Sequence, residues 1–387
     1  MNGLRKQWLG AAVAAGIFSF GGSAAAEEAA TEEVREVHVP VSAAILPGIG
    51  TNGFVTGNAV NNFAFGLLAT HSYRLDGLAL SPAVTVVSDH ARGAQVAGAF
   101  NWAGALTGVQ TAGAVNVTTG MTRGAQLGGA VNVSGASLRG AQVAGAFNYA
   151  GGDSRGWQTA GAVNVADGMR GLQLSGAANV ADRLSGLQLS VLNVGGDVDG
   201  AQVGVVNIAR KVRGLQLGVV NVSSEMYGAP IGLVSIAGNG QFHVQAWASD
   251  VALTNVSLKY GSKYVYTIVT AGLEVQRPAD DRRFLAGIGF GGHIPVTDRI
   301  YVDIDGTAMT PRRELLSSTD GALLSQLRVV GGYQFAQRLS AFGGLTGNVL
   351  VDWDDSWGAG GIGPTWEVGT ERTRVALWPG LVAGVQL

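Results

Sequence analysis

The side chains Gln95, Gln110, Gln126, Gln142, Gln158, Gln173, Gln188, Gln202 and Gln216 recur every 14 to 16 residues. Each is followed five or six positions later by an asparagine, in the series Asn101, Asn116, Asn132, Asn148, Asn164, Asn179, Asn193, Asn207 and Asn221. A carboxamide stays neutral, so it cannot serve as acid, base or nucleophile; it donates and accepts hydrogen bonds. Amides held at one place in every repeat can stack as ladders, each donating to the next.

The residues with stronger chemistry are scattered. The five histidines, His38, His71, His90, His243 and His293, are far apart in the chain and none has a metal-ligand spacing, so they read as isolated surface or core residues. Asp303 and Asp305 fall on one face of a strand. They could present paired carboxylates inside a barrel, but a solvated strand face is the preferred reading. Asp352, Asp354 and Asp355 cluster around Trp353 and ahead of Trp357, where oxygen ligands could hold Ca²⁺; a solvated acidic loop explains them more simply. The run Gly287-Ile-Gly289-Phe-Gly291-Gly292 lacks the helix and the later acidic residue of a nucleotide site, and fits a curved strand. Every candidate serine lies in a connector or lacks an elbow sequence, and the chain contains no cysteine, which removes thiol catalysis, disulfides and Cys-ligated metal. The expectation is a non-enzymatic protein with no catalytic, cofactor-binding or metal-binding residues; a solenoid carbohydrate-active enzyme, the lesser alternative, would need an acidic cluster on the coils, and the motif strands contain none.

The elements that carry the amides follow from the spacing. Between each Gly-x-Gln and its Asn there is no charged residue, whereas Arg123, Arg139, Arg155, Arg170, Asp197, Asp199 and Arg213 lie in the connectors. Alternating Val, Ala, Leu and Phe with many glycines read as strand, since each glycine in a helix costs about 1 kcal/mol relative to Ala. The last three units place Gln and Asn five residues apart, where the earlier ones have six. A one-residue loss would flip all later side chains unless a corner lies between the two amides, and Gly98, Gly113, Gly129, Gly145 and Gly161 mark that corner. From Asn to the next Gly the chain runs 7 or 8 residues with no odd-even alternation, so one unit reads as one coil of about 15 residues. The expected fold is all-β, a repeat solenoid followed by a small antiparallel barrel-like domain. The alternative is one large up-and-down barrel of about twenty strands, which would make a channel.

Residues 1–26 have Arg5 and Lys6, an apolar run and Ala24-Ala25-Ala26, the layout of a cleaved export signal. An acidic linker (27–38) leads to N-terminal strands and capping units (39–92), the repeat array (93–239) and a C-terminal domain (240–387). That last domain has about eight alternating segments, among them Arg299 to Met309 and Ser325 to Phe335. Its tryptophans and tyrosines could form an interfacial girdle, and Pro379 weakens the closing strand. A net charge of -2 and the lack of a visible basic patch argue against a nucleic-acid partner.

The phrases Leu46-Pro-Gly48, Thr51-Asn-Gly53, Asn62-Phe-Ala-Phe and Gly228-Ala-Pro-Ile-Gly232, with the Gly-x-Gln...Asn repeats between them, resemble an uncharacterised family of Gram-negative surface repeat proteins. Lys263-Tyr264-Val-Tyr266, Gly287-Ile-Gly289 and Leu345-Thr-Gly347-Asn348 resemble that family's downstream barrel-like region. Ala79 where a Gln would stand, Thr85 for Asn and Pro230 for Gln depart from the pattern and read as capping units. The resemblance implies location and architecture, an exported repeat protein of the outer membrane or cell surface; the function expected beside it is a rigid repeat surface presented to envelope components for adhesion or scaffolding. It implies no cofactor, ligand or oligomeric state.

Overall fold

A computed structural model describes residues 35–273, 284–312, 321–353, 364–370 and 373–387. The export signal, most of the acidic linker and the turn at 278–283 lie outside the described residues. From Val41 to Ala237 the chain winds as a β-solenoid of about 12 turns. Strands Phe147–Ala160, Val163–Ser175, Ala178–Leu189, Leu192–Val203 and Val206–Leu217 lie parallel, each paired with the next. The register sets Gln142 against Gln158 and Gln158 against Gln173, with Asn148, Asn164 and Asn179 aligned in the same way. Parallel pairing overturns the single large up-and-down barrel, whose neighbouring strands would have to run antiparallel.

The corner falls between the two amides. Gly161 and Ala162 separate strand Phe147–Ala160 from Val163–Ser175, and Ser190 and Val191 do the same one residue sooner after their glutamine. The strand before the corner is shorter in the later coils, so both ladders stay in register. A second requirement was not foreseen. The glycine that opens each Gly-x-Gln has a positive φ, 131° at Gly156, and a Cβ there would lie 1.8 Å from the carbonyl oxygen of Gly140 in the coil below. Only glycine permits that close approach. Inside the coils, apolar layers such as Met169, Leu184, Val198 and Val212 share the core with the amides.

From Gln241 the chain changes to antiparallel pairing. Strands Gln241–Ser249, Thr254–Gly261, Val265–Leu273, Phe284–Pro295, Ile300–Arg312, Ala322–Ala336, Leu339–Asp352 and Thr373–Gln386 pair in that order. The last pairs with the first, which closes an eight-stranded barrel. A further strand, Trp366–Thr370, flanks the last one and was not expected. Pro379 is tolerated because it lies in a gap along one edge of its strand. That edge pairs with Trp366–Thr370 up to Leu377 and with Gln241–Ser249 from Val382 on, so no neighbouring strand asks for the N–H that proline lacks.

Candidate functional site

Two features concentrate polar side chains: the amide ladders of the solenoid and the interior of the barrel. Gln158 Nε2 donates to Gln142 Oε1 at 2.8 Å, and its Oε1 accepts from Gln173 Nε2 at 2.8 Å. Asn164 Nδ2 donates to Asn179 Oδ1 at 3.0 Å and accepts at Oδ1 from Asn148 Nδ2 at 2.9 Å. The remaining N–H groups go to main-chain carbonyls, Val165 for Gln158 and Leu174 for Asn164, which fixes the orientation of these two amides. The glutamine ladder therefore donates toward the N-terminus and the asparagine ladder toward the C-terminus, so their dipoles oppose along the stack.

The predicted departures stand at the ladder ends. Ala79 is in register with Gln95, Thr85 with Asn101 and Pro230 with Gln216. Thr85 Oγ1 accepts from Gln95 Nε2 at 3.1 Å and donates to Asn101 Oδ1 at 2.5 Å, so one hydroxyl serves both ladders. Pro230 offers no amide, and Gln216 Oε1 ends its ladder without a hydrogen bond.

The barrel interior holds charge. Asp303 and Asp305 are buried at 1% and 2% exposure, which overturns the solvated strand face. Lys259 reaches across the lumen and donates to Asp303 Oδ2 at 2.5 Å, while His293 Nδ1 donates to Oδ1 at 2.7 Å. Arg328 donates to both oxygens of Asp305 at 2.6 and 3.1 Å, and the Tyr266 hydroxyl donates to Oδ2 at 2.9 Å. Lys259 Nζ also sits 4.1 Å from the Tyr266 ring centroid, and Arg328 lies 4.7 Å from that of Trp247. Gly291 makes room for this arrangement, since a Cβ there would lie 2.5 Å from the Tyr266 ring. The remaining lumen is filled by Trp247, Phe342, Val382 and, beyond them, Leu324, Leu350 and Trp378.

Lys259, Tyr266, His293 and Arg328 were missed as partners because each lies on a different strand. His293 was the most accessible to sequence reasoning: it stands directly opposite Asp303 in a hairpin. His71 and His90 contact Ser88 and Thr107, apart from the charged cluster, whereas His243 contacts the Leu387 carbonyl and stands opposite Lys259 in the register, at the edge of that cluster. Asp352 is buried and 3.7 Å from Arg374, so it does not belong to a solvated loop; Asp354, Asp355 and Trp357 lie outside the described residues. Among the described residues no group of three His, Cys, Asp or Glu converges in a way that could hold a metal ion.

Outside the barrel the pattern inverts. Val256, Leu258, Val269, Ile304, Leu327, Leu345, Leu381 and Val385 point outward and are exposed. Exposed aromatics gather at the two rims: Phe242, Tyr264, Tyr333 and Phe335 at one, Trp353 and Trp366 at the other. Tyr266, Tyr301 and Trp378 instead face inward, so only part of the expected girdle is exposed. At the first rim the connections are three, four and two residues long (262–264, 296–299 and 337–338). At the other they span residues 250–253, 274–283, 313–321 and 353–372. The solenoid joins the barrel at the short-turn rim, where the Thr267 hydroxyl donates to the Gly232 carbonyl at 2.8 Å and the Tyr260 hydroxyl to that of Leu233 at 2.5 Å.

Comparison with known proteins returns no matching family model, curated protein or solved structure.

Proposed function

We propose that this is a non-enzymatic outer-membrane protein in which the barrel is the anchor and the solenoid is a rigid scaffold held against the envelope. The observation that carries this reading is the inversion of the barrel, with ion pairs inside and a largely aliphatic surface outside. In water such a surface is a liability, whereas hydrocarbon requires it, together with aromatic rims. Eight strands and a filled lumen fit an anchor better than a pore. The sequence of residues 1–26 supports export.

Barrels of this kind turn their short connections to the periplasm and their long loops outward. The solenoid leaves from the short-turn rim, which favours a periplasmic scaffold over display on the cell surface. The test is fractionation of the producing cells, followed by electrophoresis of unheated and boiled samples. The protein is expected in urea-washed outer membranes, with a faster-migrating unheated form. Recovery as a soluble periplasmic protein would refute the anchor.

A further inference from the structure

The connector residue that precedes the opening glycine of each coil forms an outward column. In register it reads Asp76, Arg92, Thr107, Arg123, Arg139, Arg155, Arg170, Ser185, Asp199 and Arg213. Four consecutive coils thus carry exposed arginines directly beside one another, a row about 14 Å long at the strand spacing. Their surroundings differ from those of the other arginines. Arg92 faces Asp76 at 3.9 Å, Arg183 faces Asp153 at 2.7 Å and Arg213 faces Asp199 at 2.8 Å. Between Asp89 and Asp153 the sequence has no acidic residue at all, and Arg123, Arg139, Arg155 and Arg170 make no ion pair with any described residue. Like charges in register on neighbouring strands repel. A fold that alternates charge elsewhere in the same column stacks four cations here with no direct ion pair among the described residues; the nearest carboxylates, Asp153, Asp197 and Asp199, share a concavity with Arg170 alone of the four, at one end of the row.

Two residues along the same outer face from Arg155 stands Trp157, 52% exposed. Its column otherwise holds small and aliphatic residues, with Ala141 and Leu172 on either side. An indole on an open, flat β-face beside guanidinium forks is suited to a sugar ring whose apolar face stacks on the indole while carboxylates of the acidic peptides borne by the sugar chain are bound bidentately. Single-stranded nucleic acid would call for successive aromatic platforms, and this face offers one.

We propose that Arg123, Arg139, Arg155 and Arg170, with Trp157, bind the carboxylate-bearing glycan polymer of the cell wall. The choice of that polymer rests on the periplasmic placement argued above; the anionic glycan chemistry rests on the column itself. Spacing by one strand gives the site a linear repeat, so an extended chain that bears several carboxylates meets arginines of more than one coil.

The experiment is co-sedimentation of the full-length protein in detergent with isolated Gram-negative sacculi. Binding is expected to weaken as salt rises. The double substitution Arg139→Gln/Arg155→Gln should lower affinity about tenfold or more, and Trp157→Ala should lower it by a smaller factor. Arg213→Gln, which removes an arginine already paired with Asp199, should bind like the parent. Sacculi whose carboxylates have been amidated should lose the protein. Equal binding to amidated sacculi, or full binding by the double variant, overturns the proposal, and so does tighter binding to oligothymidylate or to anionic lipid vesicles. Unboiled migration of each variant reports the folded barrel separately, so a failure of wall binding is distinguishable from a failure of the anchor reading.

Discussion

In the solenoid, Gln158 finds its partners in Gln142 and Gln173, residues of its own type one coil away. In the barrel, Asp303 finds Lys259 and His293, residues of other types on two other strands. Both regions bury polar groups completely, but one uses neutral amides repeated by translation and the other uses opposite charges assembled from distant positions. The difference sets what each region risks. A neutral ladder loses a hydrogen bond when one member is removed, whereas an ion pair leaves an uncompensated charge.

The largest effect is therefore expected in the barrel. Asp305→Ala leaves Arg328 buried without its carboxylate and should destabilise by about 3 to 5 kcal/mol. Replacing both partners with apolar residues, Asp305→Leu/Arg328→Met, should recover most of that loss, because neither desolvated charge remains. Urea unfolding followed by the loss of the fast-migrating form measures both. If the double variant is as unstable as the single one, the pair acts through packing and not through charge.

A smaller loss is expected in the solenoid. Gln158→Leu strands Gln142 Oε1 and Gln173 Nε2 and should cost about 1 to 3 kcal/mol, as should Asn164→Leu through Asn148 and Asn179. Thermal unfolding by circular dichroism checks this. Unchanged midpoints would mean that the ladders contribute no stability.

The same contrast explains what the sequence made legible. A coil is a local period, so Gln, Asn and the charge-free motif between them disclose the ladders, and the five-residue spacing after Gln188 discloses the corner. Alternation along segments such as Ile300–Arg312 discloses barrel strands. It does not disclose which face is wet, because apolar-out and apolar-in strands alternate alike; Asp303 and Asp305 were placed on the wrong side for that reason. The lumen cluster depends on registers between five strands, and the arginine row on residues 15 or 16 positions apart that only coil register brings together. Counted along the chain, those arginines form no patch.

The N-terminal coils carry a pH dependence of intermediate size. Burial lowers the pKa of His71 below 6.5, and burial, with Arg92 beside it, lowers that of His90. Both histidines resist protonation in the folded coil more than in the unfolded chain. The stability they contribute is fully present above pH 6.5 and is lost as pH falls from there through their lower folded-state pKa values. Denaturation at pH 7.5 and 5.5 should show the loss, and His71→Gln should reduce it. An identical pH slope in the variant would exclude His71 as its source.

The smallest disturbance should follow the largest deletion. Removing Gly140 to Arg155 joins Arg139 to Gly156, its equivalent next step one coil on, and should shorten the stack by about 4.8 Å while the barrel still forms. Small-angle scattering and unboiled electrophoresis check both parts. Loss of the barrel in this variant would mean that the two regions do not assemble as independently as their cores suggest.

The central claim is that the outer wall of the barrel faces lipid while the solenoid faces water. Because the chain has no cysteine, single nitroxide labels can be placed without background. Labels at Leu258, Leu327, Leu345 and Leu381 on the barrel, and at Thr159 on an outward solenoid position, are compared after reconstitution into vesicles. The barrel labels should collide freely with dissolved oxygen and be shielded from a water-soluble nickel chelate, with Thr159 showing the reverse. Equal access of the nickel chelate to all five positions would contradict the account.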